Sequence, residues 1–419
     1  MAKPQSPLSV RDYRLFWIAR FAAVLAQVGM VVVIGWQVYD VARTDYGMGP
    51  KAAAFQLGLI GVAQFLPLLV LMPVAGWAAD RFDRRIVSAG AIALDLANAL
   101  ALGWMTAADT VTLPALFTVA ALHGVVRAFN GPSLSSIAPN LVPPEILPRA
   151  IAMSSIAWQT GAILGPALGG LAYAANPALS YWMAAALLAI TAISILAIRP
   201  YARTAIKGGA HPLRQMIDGL GYVRSHRFLL GAITLDLFAV LLAGATALLP
   251  VYARDILKVG PEGLGWLRGA PALGATVMAM WFSFRPLAHN VGMKMLGALI
   301  VFGGATIVFG VSTNLWLSLA MLAILGAADM LSVYVRSSLT QLYTPDEMRG
   351  RVNAVSQLAI SGSNELGEAQ SGLAAAIVGP AGAVVIGGAG AIAVTLIWAY
   401  IFPELRRAKT FDPPKEITT

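Results

Sequence analysis

Residues 76–85 read GWAADRFDRR and place five charges in the six positions from Asp80 to Arg85. Residues 53–78, which lead into them, carry no charged side chain. The chain as a whole is 58% hydrophobic and 12% charged, so charge is gathered here rather than spread. An uncharged run of more than about 20 residues is long enough to cross the hydrocarbon of a bilayer. The stretch therefore predicts a membrane helix that ends in a charged loop.

Eleven more apolar stretches follow the same pattern, giving twelve at 14–38, 53–78, 86–107, 113–137, 150–174, 179–198, 228–252, 264–284, 294–313, 315–341, 352–376 and 383–402. Helices are the open segments whose backbone groups are satisfied internally in lipid, so the expected fold is an all-α membrane protein. A chain of 419 residues this apolar does not read as one or two water-soluble domains. It has no cysteine, which excludes disulfides and thiolate metal sites. His123, His211, His226 and His289 are scattered without metal-ligand spacing, so neither a metal nor a cofactor is expected. The start MAKPQSPLSVRDYRLFWIARF has no short apolar core before a small-residue cleavage site and reads as a retained first helix.

The net charge of +9 has a topological reading. With the N-terminus inside, Arg43, Lys51, Arg254 and Lys258 fall in outer loops and Arg20, Arg127, Arg268 and Arg336 within spans. The other 21 of the 29 Lys and Arg residues fall in cytoplasmic segments. That bias puts both termini in the cytoplasm and makes a nucleic-acid partner unnecessary.

The longest polar connection, residues 199–227, divides six stretches from six. An internal repeat runs across it at an offset of 202: SSIAPNLVPPEILPRAIAMS (135–154) aligns with SSLTQLYTPDEMRGRVNAVS (337–356). Pro143/Pro345, Glu145/Glu347 and Arg149/Arg351 match without gaps, and Gly124/Gly326, Gly165/Gly367 and Gly170/Gly372 keep the register. The expected organisation is two parallel, pseudo-symmetric six-helix bundles, residues 1–198 and 228–419 with a short tail, joined by a cytoplasmic linker at 199–227.

Duplicated halves with a charged loop after the second span resemble the major facilitator superfamily. Three motifs carry the resemblance. Gly76, Asp80, Arg81, Arg84 and Arg85 match its loop signature, with Asp83 where that signature has glycine; a tight turn there is expected to force Asp83 into left-handed geometry. The corresponding stretch FRPLAHNVGMK (284–294) lacks the acid, so the two gates are expected to differ chemically. RAFNG resembles the fourth-helix motif of proton-coupled members through Arg127, Asn130 and Gly131. GAILGPALGG resembles the fifth-helix motif of antiporters through Gly161, Gly165, Pro166, Gly169 and Gly170. Within the superfamily, DYRLFW, DRFDRR and SNELGEAQSG look most like bacterial enterobactin and macrolide exporters. The resemblance implies alternating access, with Asp80 facing the N-terminus of the eleventh helix to latch the cytoplasmic gate.

Intramembrane charge is a functional-site hypothesis by default. Arg127 stands near the middle of the fourth span, and the offset relates it to Asp329 in the tenth. The acids within spans are Asp95, Asp236, Asp329, Glu365 and Glu368. Glu365 and Glu368 lie three apart on one helical face, as a coupling pair, a cation site, or structural carboxyls paired with Arg336 or Arg20. The proton-coupling candidates are Glu365, Glu368, Asp329, Arg127 and Asp236. Asp95 reads as a residue that caps or pairs locally, and His123 as a core residue. Arg20, Gln27, Phe129, Asn130, Trp158 and Arg336 are candidates for a substrate cavity. The expected function is a monomeric exporter of an amphipathic drug-like or siderophore-like molecule from the bacterial cytoplasm, driven by protons across the inner membrane. The alternatives are a uniporter or lipid flippase and a non-transporting receptor. No nucleophile–base constellation points to an enzyme.

Overall fold

The computed structural model describes residues 6–135, 137–200, 212–285, 287 and 289–411. Within these, the side chains of Asp80, Asp346, Glu347 and a few others, including residues 212–215, lie outside the described set.

The helices are α1 (Arg11–Thr44), α2 (Pro50–Arg81), α3 (Arg84–Ala107), α4 (Leu113–Ser135), α5 (Leu147–Ala175), α6 (Pro177–Leu196), α7 (Pro212–Ser225), α8 (Arg227–Leu242), the single turn α9 (Leu249–Val251), α10 (Gly260–Phe284), α11 (Val291–Val311), α12 (Leu315–Leu342), α13 (Asp346–Val378), α14 (Pro380–Ile401) and the short α15 (Pro403–Arg407). There is no strand among the described residues. Among the described residues, nine segments are long and apolar enough to cross a membrane. The long helices α5, α10 and α13 stand outside those nine, the last because Glu365, Glu368 and several serines dilute its hydropathy.

Eleven of the twelve apolar stretches each overlap one long helix; α1, α2, α5 and α13 overrun theirs at both ends, whereas 179–198, 294–313 and 383–402 run past the ends of α6, α11 and α14. α1 extends to Arg11–Thr44, with Asp12 in its first turn and Arg43 in its last, the signs that complement its dipole. Two connections are set by asparagine caps: Asn176 Oδ1 accepts from Ala178 N at 2.9 Å to start α6, and Asn314 Oδ1 accepts from Leu317 N at 3.1 Å to start α12. Gly379, at φ 87°, makes the turn from α13 into α14.

Two details differ from the sequence reading. The span expected at 228–252 is not one helix: α8 stops at Leu242, a 3-10 turn runs Ala245–Leu248, and a π turn spans Tyr252–Ile256. Pro250 lacks the amide that a continuous helix would use, and Gly244 lies so close to Gly367 that a Cβ would meet its carbonyl. The second correction concerns Asp83. Its φ is −65° and ψ 116°, extended and not left-handed. It is the N-cap of α3: Oδ1 accepts from Arg85 N at 2.9 Å and Oδ2 meets the Arg85 guanidinium at 2.6 Å. A side chain that caps replaces the glycine because the chain turns by starting a helix.

The chain forms two compact units. The first comprises Met1–Gly47, Val62–Gly209 and Val259–Gly269; the second comprises Met48–Gly61, Ala210–Lys258 and Ala270–Thr419. In the first, α1 packs on α5 and α6, and α3 on α4 and α6. In the second, α11 packs on α12 and α14, and α13 on α8, α14 and α7. Leu299, Phe302, Leu339 and Tyr343 belong to the second unit's core.

The repeat-related glycines occupy matching crossings in each unit. Gly124 of α4 meets the backbone of Gln64 in α2, and Gly326 of α12 that of Pro271 in α10. Gly165 of α5 meets Leu25 and Gly29 of α1, while Gly367 of α13 meets Val240 and Leu241 of α8. Gly170 meets Pro261 and Gly265; Gly372 meets Gly58. Lipid tails are as apolar as leucine, so helices associate through close packing, which small residues permit.

Candidate functional site

In the first unit, the buried polar groups converge on Asp95. Its Oδ2 accepts from Gln27 Nε2 of α1 at 2.8 Å, and its Oδ1 lies 2.9 Å from Nδ1 of His123 on α4. Asp95 is fully buried and His123 is 2% exposed. Two turns along α3 towards its start, Ser88 Oγ donates to Asn130 Oδ1 at 2.6 Å. Arg127 follows His123 by one turn and is half-buried. Phe129 packs against the cluster of Leu68, Ala75 and Ala128.

Near the start of α1, Trp17 Nε1 donates to Met153 O of α5 at 2.9 Å and stacks on Phe21. Arg20 lies between these rings in sequence, with its Nε buried and without a hydrogen-bond partner. Trp158 is 47% exposed and stands apart from the Asp95 group.

The glycine-rich stretch of α5 forms a close-contact stripe. Gly161, Gly165 and Gly169 face Val24, Leu25 and Gly29 of α1, and Gly170 faces Pro261 and Gly265 of α10. Pro166, buried among them, removes one helical hydrogen bond. By contrast, a Cβ added at Gly76 or Gly131 would meet nothing within 4 Å. In the charged loop, Arg81 lies over the Trp77 ring at 5.8 Å, and Arg85 Nη1 donates to Ile198 O, tying the start of α3 to the end of α6. Asp80 lies on α2, with its side chain outside the described residues.

At the opposite ends of α1 and α3 lies a cavity of about 700 Å³, lined by Gln37, Asp40, Thr44, Asp109, Tyr173 and Asn176 among others. Gln37 anchors its floor, donating to Thr106 Oγ1 at 3.1 Å and accepting from Tyr181 at 2.6 Å.

In the second unit, Arg336 of α12 pairs with Asp236 of α8, both side chains 8% exposed. This joins a coupling candidate to a cavity candidate. Asp329, two turns before Arg336, is half-buried and has no hydrogen-bond or ion-pair partner among the described residues. Glu365 is buried on α13; Glu368, one turn on, has its carboxylate beside Gly61 of α2. No group of three or more potential metal-ligating side chains occurs among the described residues.

The sequence reading named Gln27, Asp95 and His123 singly and missed that they meet. Each is a strongly polar residue near the middle of a largely apolar segment, and that shared depth was the available signal.

Among curated proteins, the chain is 25% identical over 409 residues to the enterobactin exporter EntS of Escherichia coli O1:K1, covering 96% of this chain and 94% of that protein. It is also 25% identical over 410 residues to the enterobactin exporter EntS of Citrobacter koseri, with the same coverage. Among solved structures, a peptide transporter POT aligns with TM-score 0.74 at 15% identity, over 97% of this chain and all of that one. A bacterial homolog of the human lysosomal transporter Spinster, in an inward-facing and occupied conformation, aligns with TM-score 0.71 at 14% identity, over 95% and 97%. The relatives are transporters and not enzymes, and the structural likeness extends the fold over nearly the whole chain. Residues 2–414 match the family model described as transmembrane secretion effector, and the chain belongs to that family, a membrane efflux transporter of the major facilitator type.

Proposed function

We propose that this efflux transporter is a proton-coupled antiporter that exports an amphipathic small organic molecule, siderophore-like or drug-like, by alternating access across the bacterial inner membrane. Twelve spans in two six-helix bundles, residues 1–198 and 228–419, carry it, with both termini and the 199–227 linker in the cytoplasm. It acts as a monomer. The outward-moving substrate and the inward-moving proton use the carboxylates of the second half, Asp329, Glu365 and Glu368, together with Arg127.

The observation that carries the proposal is Asp329, a carboxyl group with no hydrogen-bond or ion-pair partner among the described residues, two turns from Arg336 on the same helix. An unpaired charge in lipid is costly, so such a group is kept for a function that changes its charge or its neighbours. Asp236, by contrast, has its charge met by Arg336, which supports a scaffold role beside the coupling one. Asp80, with Arg81, Arg84 and Arg85, latches the cytoplasmic gate from the end of α2. The enterobactin-exporting relatives support a siderophore-sized substrate.

The test is transport in proteoliposomes with an imposed pH gradient, using enterobactin and an amphipathic dye as probes. Antiport gives movement that needs the gradient and that Glu365→Gln, Glu368→Gln or Asp329→Asn abolishes. Movement indifferent to the gradient makes the protein a uniporter and overturns the proposal. Asp80→Asn is expected to loosen the gate and lower transport.

A further inference from the structure

Asp95 and His123 form the one acid–imidazole contact among the described salt bridges in which both groups are withdrawn from water. The carboxylate is used on both oxygens, by Gln27 from α1 and His123 from α4. One turn further along α3, on the same face, Asn98 Nδ2 is buried without a hydrogen-bond partner among the described residues. A buried donor left unsatisfied is costly, so the hydrogen bonding around Asp95 is incomplete in this arrangement.

The charge arithmetic makes the pair sensitive to a single proton. With His123 neutral, the contact carries the charge of the carboxylate; with one proton added, as aspartate–imidazolium or carboxylic acid–imidazole, it is neutral. A net charge held out of water costs several kcal/mol more than a compensated one. Few charged residues lie near the pair in sequence. α3 has no other ionisable residue beyond Arg85, and residues 62–78 of α2 have none. On α4, Arg127 lies one turn from His123 and is the cation nearest to the pair in sequence. On α1, the nearest charged residue is Arg20, seven positions from Gln27. The one ionisable residue of α6, Tyr181, donates to Gln37.

The third partner connects the pair to the α1–α5 contact. Gln27 lies within the segment Val24–Gly29 of α1, whose opposite face carries the α5 stripe of Gly161, Gly165 and Gly169. A change in what Asp95 accepts therefore acts on the turn of α1 that the glycine stripe grips. We propose that Asp95 and His123 together form a proton-binding site in the N-terminal half, separate from the carboxylates of α12 and α13, and that Gln27 transmits its protonation state to the α1–α5 contact. The proton binds to the pair and leaves from it; no other bond forms or breaks. This rests on the proton-coupled reading above.

The chain has no cysteine, so spin labels can be placed on introduced pairs without background. Distances between labels on the two halves are measured in nanodiscs at about pH 5.5 and about pH 8.5, either side of histidine's ordinary range. In the wild-type frame, the populations are expected to shift between the two conditions. Asp95→Asn mimics the protonated carboxyl in shape, and its distribution at alkaline pH is expected to coincide with the wild-type acid distribution. Glu365→Gln is expected to keep the part of the shift that Asp95→Asn removes. A structural pin would instead give an unstable protein with broadened distances. Labelled-histidine NMR of the wild type, assigned with His123→Gln, gives a second measurement that needs no Asp95 variant; the His123 signal is expected to move over the same interval. An Asp95→Asn variant with the full wild-type response, or a His123 signal fixed across the interval, overturns the inference while leaving proton antiport standing. A wild type with neither a pH response nor gradient-driven export overturns both.

Discussion

Arg336 on α12 and Asp236 on α8 face each other as a buried ion pair that joins two helices of the second unit. Removing one member of such a pair leaves an uncompensated charge and costs about 3–5 kcal/mol, whereas replacing both by apolar residues of similar volume is often neutral. Asp236→Ala is therefore expected to lower the thermal unfolding midpoint strongly in detergent. The double variant Asp236→Leu with Arg336→Met is expected to recover most of the loss. If the single variant unfolds at the wild-type temperature, the pair does not hold α8 to α12.

The glycines sort by what surrounds them. A Cβ at Gly165 would meet Leu25 O at 2.8 Å, and one at Gly29 would meet Gly165 O at 2.8 Å, so α1 and α5 must separate to admit a side chain. Overpacking of this kind costs about 1–3 kcal/mol. Gly165→Ala and Gly29→Ala are expected to lose stability by that order, read by thermal unfolding. Gly76→Ala and Gly131→Ala, with open space around them, are expected to unfold with the wild type. Transport lost at either without a stability loss would show that its neighbours close in another conformation.

The register of the repeat was readable because glycine at a crossing leaves a sequence mark: Gly124/Gly326, Gly165/Gly367 and Gly170/Gly372 were aligned by position, and each pair sits at corresponding crossings. Most long helices were readable from hydropathy, but the break after Leu242 was not. What hydropathy leaves open is the rotation of each helix about its axis, since most faces are apolar. That is why Gln27, Asp95 and His123, separated by 68 and 28 positions, gave no sign of meeting, and why Asp236 was not tied to Arg336. Asp83 was misread for a local reason. A family glycine suggests an unusual backbone, yet an aspartate that accepts from the amide two residues on reaches the same helix start by capping.

That cap gives a graded prediction. Asp83→Ala removes the acceptor for Arg85 N and the partner of the Arg85 guanidinium, and is expected to cost about 0.5–2 kcal/mol. Asp83→Ser keeps an acceptor, and Asp83→Gly, which restores the superfamily pattern, is expected to cost a few tenths of a kcal/mol at the cap. The order Ala, Gly, Ser from least to most stable, measured by thermal unfolding, checks the capping role. Equal stability of all three would mean that the cap contributes nothing there.

The orientation can be tested with the same cysteine-free background. The Lys and Arg bias predicts that the turns after α1 and before α10 lie outside and the region between α7 and α8 inside. Asp45, Lys258 and Ser225 are exposed at these three places. Single variants Asp45→Cys and Lys258→Cys are expected to react with a membrane-impermeant maleimide in intact cells. Ser225→Cys is expected to react only after the membrane is opened. All three changes are on exposed surface, so folding should be unaffected and the accessibility of the thiol alone is read. The reverse pattern would place the termini outside and would require the 21 basic residues assigned to the cytoplasm to face the other way, against the charge asymmetry that orients membrane proteins.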